Sequence, residues 1–265
     1  MSEGATPRAI VVRDLRVLVT AGASGIGRAI AQAFAAGGAH VHITDVDEAA
    51  VADTVSQIPG LSATAGDASS PQDADRAAAD VGARFGGLDV LVNNVGVAGP
   101  TGVIDSLSDG DVERTIDINL KSHFYFLNRC VPLLRGSTRN PGVVAMSSVA
   151  GRLGYGNRTP YAATKWAIVG LVKSLAVELG PDGVRANAIL PGVVEGPRMD
   201  RVIAARAAAE GAGFDAVRDS YLGKISLRRM VQAEDVANLA LFLSSDLARN
   251  ITGQAISVDG NVEYL

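Results

Sequence analysis

Cysteine is nearly absent: Cys130 is the one thiol among 265 residues. A lone thiol closes no intrachain disulfide and builds no cysteine zinc site, so both kinds of scaffold are excluded. It sits in the run FYFLNRCVPLL and reads as a packed thiol on the buried side of a helix. The three histidines, His40, His42 and His123, lack metal-ligand spacing with a carboxylate or the cysteine, so no metal is expected. Positive charge is neither in excess nor clustered. The net charge is −4 and Lys and Arg are scattered, which leaves out the basic stripe of a nucleic-acid binder. Long apolar runs are missing too. The longest stretch without Lys, Arg, His, Asp or Glu, residues 90–104, contains two Asn, several Gly and a Pro, and does not read as a membrane span. Arg13, Asp14 and Arg16 interrupt the early apolar stretch, so no signal peptide is expected and the chain reads as soluble and cytoplasmic. With 48% apolar and 20% charged residues, it is not a disordered chain.

Glycine is plentiful, at 30 residues, and its placement is informative. Short apolar runs occur at 15–20, 40–44, 61–65, 88–93, 142–147, 184–190 and 254–258. They show little polar alternation, as expected of strands buried on both faces of a parallel sheet. The run at 61–65 is the weakest, with Leu61 its one large apolar residue. Helix-like stretches lie between them: 25–37 ending at Gly37-Gly38, one opening at Ser70-Pro71, one from Ser108 to about Leu134, and one from Thr159-Pro160 to about Leu179. Repeated strand–helix order predicts a doubly wound α/β fold, Rossmann-like, with about seven parallel strands between two helical layers. No linker interrupts it, so one domain over 1–265 is expected. Residues 193–224 break the rhythm, with Gly196-Pro197 and Gly211-Ala212-Gly213 around short helical pieces, and read as an inserted substrate loop or lid.

The first strand runs into Gly22-Ala23-Ser24-Gly25-Ile26-Gly27 and then a helix. A Gly-rich strand-to-helix turn lets backbone N–H groups approach a phosphate, and the helix N-terminus favours its charge. Asp45 ends the second strand; a carboxylate there accepts from an adenosine ribose 2′-hydroxyl and repels a 2′-phosphate. No Lys or Arg lies in the loop or within 38–50, which favours NAD over NADP. The competing reading is that Asp45 caps the next helix. Tyr161 and Lys165, four apart at a helix start, share one face, and an ammonium there stabilises a phenolate. Ser148 ends the strand before them, at the sheet edge where doubly wound folds bind ligands.

Taken together, Thr20 with the 22–27 loop, Asp67, Asn93-Asn94-Val95-Gly96, Asn119, Ser147-Ser148, Tyr161-Ala162-Ala163-Thr164-Lys165, Pro191-Gly192 and Val258-Asp259-Gly260 resemble the short-chain dehydrogenase/reductase family in its shorter branch. The resemblance covers the chain from about Leu15 to Gly260. It implies Tyr161 as general acid/base, Lys165 as the cation that lowers its pKa and binds the nicotinamide ribose, Ser148 on the substrate oxygen and Asn119 holding a water of the proton relay. Ser147 is the rival serine; the family's spacing to Tyr161 favours Ser148. The resemblance also implies cofactor contacts from Gly22, Ser24, Gly25, Ile26, Gly27, Asp45, Asp67 with Ala68 beside it, Asn93, Gly96, Tyr161, Lys165, Pro191, Gly192 and Val194. Three positions depart from the family pattern: Ala21 stands for the first loop glycine, Val95 for an alanine, and Gly196 for a threonine that contacts the carboxamide.

Substrate contacts are expected from Val95, Arg152, Tyr155 and Arg198, and Arg152, Arg158 and Arg198 can each receive a substrate anion. Solvation or structural pairing is the competing fate of each arginine. Trp166 reads as core or interface packing. By resemblance the protein is a homotetramer, with 108–134 and 160–179 pairing across two-folds and residues 262–265 docking on a neighbour. The sequence therefore predicts an NAD(H)-dependent oxidoreductase acting between a secondary alcohol and a ketone. The alternatives are a 3-oxoacyl carrier-protein reductase using NADPH and, from another class, a non-catalytic nucleotide-binding scaffold.

Overall fold

The computed structural model describes residues 9–264. Residues 1–8 of the N-terminal stretch read above, and Leu265 of the C-terminal run expected to dock on a neighbour, lie outside the described residues.

Every apolar run named above becomes a strand: β1 (Arg16–Thr20), β2 (His40–Asp45), β3 (Ser62–Ala65), β4 (Val90–Asn93), β5 (Gly142–Met146), β6 (Arg185–Pro191) and β7 (Ala255–Val258). They form one parallel sheet in the order β3-β2-β1-β4-β5-β6-β7. Side chains alternate between two cores, as the two-residue period of a strand requires. Val17 and Val19 of β1, Val90 and Val92 of β4, and Val144 and Met146 of β5 face one core. Leu18, Leu91, Val143 and Ala145 face the other. Both faces are thus apolar, which is why these strands show no polar alternation. The weak run at 61–65 is the edge strand β3, where one side needs no ladder partner.

Helices α1 (Gly25–Ala36), α2 (Glu48–Gln57) and α9 (Ala233–Ser244) cover the first face. Helices α3 (Pro71–Phe85), α5 (Ser122–Arg135) and α6 (Thr159–Leu179) cover the second, with Cys130 fully buried there. Burial pushes the Cys130 thiol up to about 12, so it is an inert packing group. The helix expected to open at Ser70-Pro71 does so, with Ser70 as its cap, accepting from Asp73 N. The cap of α2 is Asp47, which accepts from Ala50 N, rather than Asp45. The expected helix from Ser108 is α4 (Asp109–Ile116) joined to α5 through one wide turn, Asp117–Lys121, centred on Asn119. Residues 193–224 hold α7 (Pro197–Glu210) and α8 (Phe214–Gly223), which enclose a small core of their own built on Ile203, Ala207, Val217 and Tyr221.

The sheet's amino end is tied by Asp89, fully buried, which accepts from Arg16 N, Nε and Nη2 and from Ser137 Oγ. Removing one partner of such a pair leaves an uncompensated group. Asp89→Ala should lower stability by about 3 kcal/mol. A urea midpoint within error of wild type would show that the pair is dispensable. This end lies opposite the candidate site, so cofactor binding by the folded fraction should be unchanged.

Candidate active site

The strand order reverses between β1 and β4, and the carboxyl ends of these strands carry the Gly-rich loop on one side and Asn93 to Gly96 on the other. The loop can close only on glycine. A Cβ at Gly27 would stand 2.0 Å from Ala21 O and 2.6 Å from Asn94 Nδ2, and one at Gly22 would stand 2.7 Å from Ile43. At Gly25 a Cβ would meet nothing within 4 Å, so that side of the loop is open. Ser24 precedes α1 without a side-chain cap bond, which leaves the first N–H groups of the helix, at Gly25, Ile26 and Gly27, without intrahelical partners. An open helix N-terminus with uncommitted donors fits a diphosphate. Ala21 sits at φ 49°, a left-handed conformation costly for a residue with a Cβ. Ala21→Gly, restoring the family residue, should therefore stabilise the protein by about 0.5–1 kcal/mol in denaturant titration. A loss of stability would show that Ala21 is not strained.

Asp45 turns its carboxylate toward the loop, with Oδ2 accepting from Ala23 N at 3.0 Å. Arg28, one residue past the loop, is committed to Asp53 (3.1 Å) and Gln57 (2.8 Å). Asp67 is exposed at the end of β3, its N–H held by Asp73 and its Oδ1 by Ser69; Ala68 follows it, half-buried. Val194 is half-buried beside the Val193–Val231 backbone contact, and Pro191-Gly192 packs against Asp259, where a Cβ on Gly192 would stand 2.7 Å from Asp259 Cα. Gly196 has φ 136°, a conformation for glycine, so a threonine there would require a different backbone path into α7.

Two assignments along the first four strands change. Asn93 is fully buried and donates to His123 O, so it packs beneath the groove and cannot line it. Its neighbour Asn94 does the work at the surface: Nδ2 donates to Thr20 O and Ala21 O, clasping the Gly-rich loop to β4. Val95 is also buried, with its N–H on Thr20 Oγ1, and forms the floor rather than an open pocket wall.

Beyond β5 the polar residues converge. Tyr161 stands half-buried in the first turn of α6; its backbone carbonyl accepts from Thr164 Oγ1, and its hydroxyl takes part in no hydrogen bond among the described residues. One turn on, Lys165 is 3% exposed; its Nζ donates to Met146 O at 2.8 Å and lies 5.7 Å from the Tyr161 ring centre. Asn119, held in the wide turn, bonds both Val97 N and Val97 O. Its Oδ1 and Lys165 Nζ both close on the same point above Gly96, 3.4 and 3.2 Å from where a Cβ would be. Wide turns of this kind recur at functional sites, and nothing in the helical periodicity announces this one. Of the two serines, Ser147 donates to Lys165 O and is committed, whereas Ser148 accepts from Ala150 N and keeps its proton for another acceptor. Gly151, missed in the sequence reading, allows this approach: a Cβ would stand 2.4 Å from Ser147 Oγ and 2.7 Å from Lys165 O.

Burial, with the nearby Arg198 charge, pushes the Lys165 ammonium down to about 7. An unfolded lysine titrates near 10.4, so above about pH 7 the unfolded chain binds the extra proton and stability rises with pH. Wild type should gain stability from pH 7 to 9, and Lys165→Met should flatten that slope. Parallel urea midpoints for the two proteins would exclude this linkage. Burial and the Lys165 charge likewise hold His123 down to about 3, so it stays neutral and packed.

The arginines expected at the substrate divide. Arg152 is spent on structure, bonding Asp259 (2.8 Å), Ser257 and Val262 O, because it ties the loop after β5 to the chain's end. It has no charge to spare for a substrate. Arg198 is exposed and donates to Gly96 O at 2.9 Å, tying the start of α7 to the groove. Tyr155 donates to or accepts from the Tyr221 hydroxyl of α8 at 2.7 Å, and burial raises its pKa. Trp166 is 51% exposed and is not a core residue. Among the described residues no group of metal-ligating side chains is found, and no helix is long and apolar enough to cross a membrane.

The chain matches the family described as enoyl-(acyl carrier protein) reductase over residues 20–262. It is 34% identical over 244 residues to galactitol 2-dehydrogenase of Agrobacterium fabrum, covering 92% of this chain and 95% of that protein. It is 34% identical over 270 residues to trans-4-hydroxycyclohexanecarboxylate dehydrogenase of Sinomonas cyclohexanicum, covering 94% and 93%. The solved 3-ketoacyl-(acyl-carrier-protein) reductase of Brucella melitensis complexed with NADH superimposes with a TM-score of 0.84 at 28% identity, covering 94% of this chain and 98% of that one. A Gly-loop open at a helix N-terminus, a Tyr–Lys pair facing it, and this likeness along nearly the whole chain lead to one family: the chain belongs to the short-chain dehydrogenase/reductases, oxidoreductases that move a hydride between a nicotinamide cofactor and an alcohol or ketone.

Proposed function

We propose that the protein is an NAD(H)-dependent dehydrogenase of a small secondary alcohol, working in a soluble, cytoplasmic homotetramer. The observation that carries this reading is the uncommitted Tyr161 hydroxyl one turn from buried Lys165, across from the open N-terminus of α1. Gly25, Ile26 and Gly27 receive the diphosphate, Asp45 the adenosine ribose, Asp67 with Ala68 the adenine edge, and Lys165 the nicotinamide ribose. The backbone at Val194 and the Pro191-Gly192 turn hold the carboxamide end. The cofactor, when bound, accepts or supplies the hydride. Ser148 donates its free proton to the substrate oxygen and orients it. Tyr161 takes the hydroxyl proton as the alcohol becomes a ketone and returns it in the reverse direction. Lys165 stabilises the phenolate form, and Asn119 holds a water on the route by which the proton reaches solvent. Residues 193–224, with α7 and α8, form the lid over the substrate.

Phe124, Trp166 and Val177, exposed on α5 and α6, support pairing of those helices between subunits. Light scattering should give about four chains per particle; a monomer would refute the assembly. The cofactor and reaction are tested by following NADH absorbance with a panel of hydroxy acids, polyols and cyclic alcohols. Likeness to the Brucella melitensis reductase keeps a carrier-protein reductase as a second reading. Reduction of acetoacetyl thioesters with NADPH, without alcohol oxidation by NAD, would select it.

A further inference from the structure

Arg158 is a buried guanidinium with no anion. It is 4% exposed, and none of the ion pairs among the described residues includes it. Nη2 donates to Ala98 O, while Nε has no partner at all. Two aromatic rings flank the group: its central carbon lies 5.2 Å from the Tyr155 ring centre and 5.0 Å from that of Tyr161. Two π faces and one carbonyl leave most of its five N–H groups unanswered. A buried charge in that state is costly. This fold does satisfy a buried arginine elsewhere. Arg185, 6% exposed, is wrapped by Asn140 Oδ1, Asn140 O, Leu243 O and Ala248 O.

Arg158 lines a tight recess under the lid, of about 10 Å³, room for about one water molecule. Its walls include Thr101, Tyr155, Val202 and Arg206 of α7, and Tyr221 of α8. Arg206 is already balanced by Glu210 at 2.8 Å, so the recess carries one uncompensated positive charge, that of Arg158. Of the other two arginines that the sequence offered for a substrate anion, Arg152 is neutralised by Asp259, and Arg198 is exposed, its charge solvated and one N–H on Gly96 O.

We propose that Arg158 receives the carboxylate of the substrate, which makes the substrate a short or cyclic hydroxy acid, or its oxo acid, rather than a neutral polyol. The inference rests on the reading of Tyr161 as the group that moves the substrate proton. One positive charge matches a carboxylate, whereas a phosphate dianion would bring excess negative charge into the recess. A planar carboxylate also fits a guanidinium edge. Contact of the guanidinium with the Tyr161 ring keeps the acid group close to the reacting carbon, so the acid must be small. At that size the recess must widen to admit a carboxylate, and Tyr155 with Tyr221, joined at 2.7 Å, form two of its walls.

The test is equilibrium binding to the protein with NADH, read by cofactor fluorescence, and without NADH, read by thermal shift. The probes are carboxylates from butyrate to cyclohexanecarboxylate, each with its neutral amide, and inorganic phosphate. At least one carboxylate should bind about 10- to 100-fold more tightly than its amide. Arg158→Met should bring that ratio near one and Arg158→Lys should restore part of it, with NADH binding as the check that each variant is folded. Equal binding of acids and amides, a preference that survives Arg158→Met, or phosphate outcompeting every carboxylate would each overturn the proposal. Turnover by Tyr161→Phe would overturn the parent reading instead, and leaves the binding comparison intact.

Discussion

Tyr161→Phe is expected to lower kcat/KM by about 10³-fold, within the range that a positioned acid or base contributes, while the NADH dissociation constant stays within about twofold of wild type. The ring is half-buried on α6, so Phe keeps its packing and loses one oxygen. That hydroxyl has no protein partner among the described residues, so removing it orphans nothing and should cost little stability. The loss must therefore fall on the proton step. Ser148→Ala should cost less, about 10²-fold, because it removes one hydrogen bond to the substrate oxygen and not the proton carrier. Ser147→Ala should act differently again, lowering stability by breaking its bond to Lys165 O. Activity of Tyr161→Phe within tenfold of wild type would remove the tyrosine from the chemistry.

What the sequence disclosed followed from periodicity and from local turn chemistry. The strands were legible because a doubly covered parallel sheet makes them apolar throughout, whereas the edge position of the poor run at 61–65 emerged only with the strand order. Helices α2 and α9 were not singled out, since they are bounded by neither a Pro start nor a Gly stop. The site was legible where a motif fixes a backbone shape, as in the 22–27 loop, or a face, as in Tyr161 and Lys165. It was illegible where the decision is made by three-dimensional neighbours. Nothing in the sequence separates Asn93, which is buried against His123 O, from Asn94, which clasps the loop. Nothing there shows that Arg152 has a carboxylate waiting 107 positions later while Arg158 has none. The wide turn at Asn119 is a one-residue change in helical register, invisible to any pattern of apolar spacing.

The second large effect concerns the cofactor. Wild type should prefer NAD to NADP by about 10²–10³-fold in kcat/KM, because a 2′-phosphate would stand against the Asp45 carboxylate. Two like unit charges at about 4 Å interact by about 4 kcal/mol near a protein surface, and each 1.4 kcal/mol is a factor of ten. Asp47, two residues on, adds a second carboxylate at the start of α2, and Arg28 is unavailable because Asp53 and Gln57 hold it. Asp45→Asn is the informative substitution. Its amide oxygen can still accept from Ala23 N, so the Gly-rich loop keeps its shape while the charge disappears. NADP use should then rise by at least about tenfold, and NAD use should fall because a charged acceptor for the ribose hydroxyl is lost. Asp45→Ala should do worse with both cofactors, since it also frees Ala23 N and loosens the loop. The order NAD-selective wild type, mixed Asp45→Asn, impaired Asp45→Ala separates charge from loop support. Wild-type binding of NADPH as tight as NADH at low ionic strength would mean that Asp45 serves the loop alone, and would return the carrier-protein reductase reading to the front.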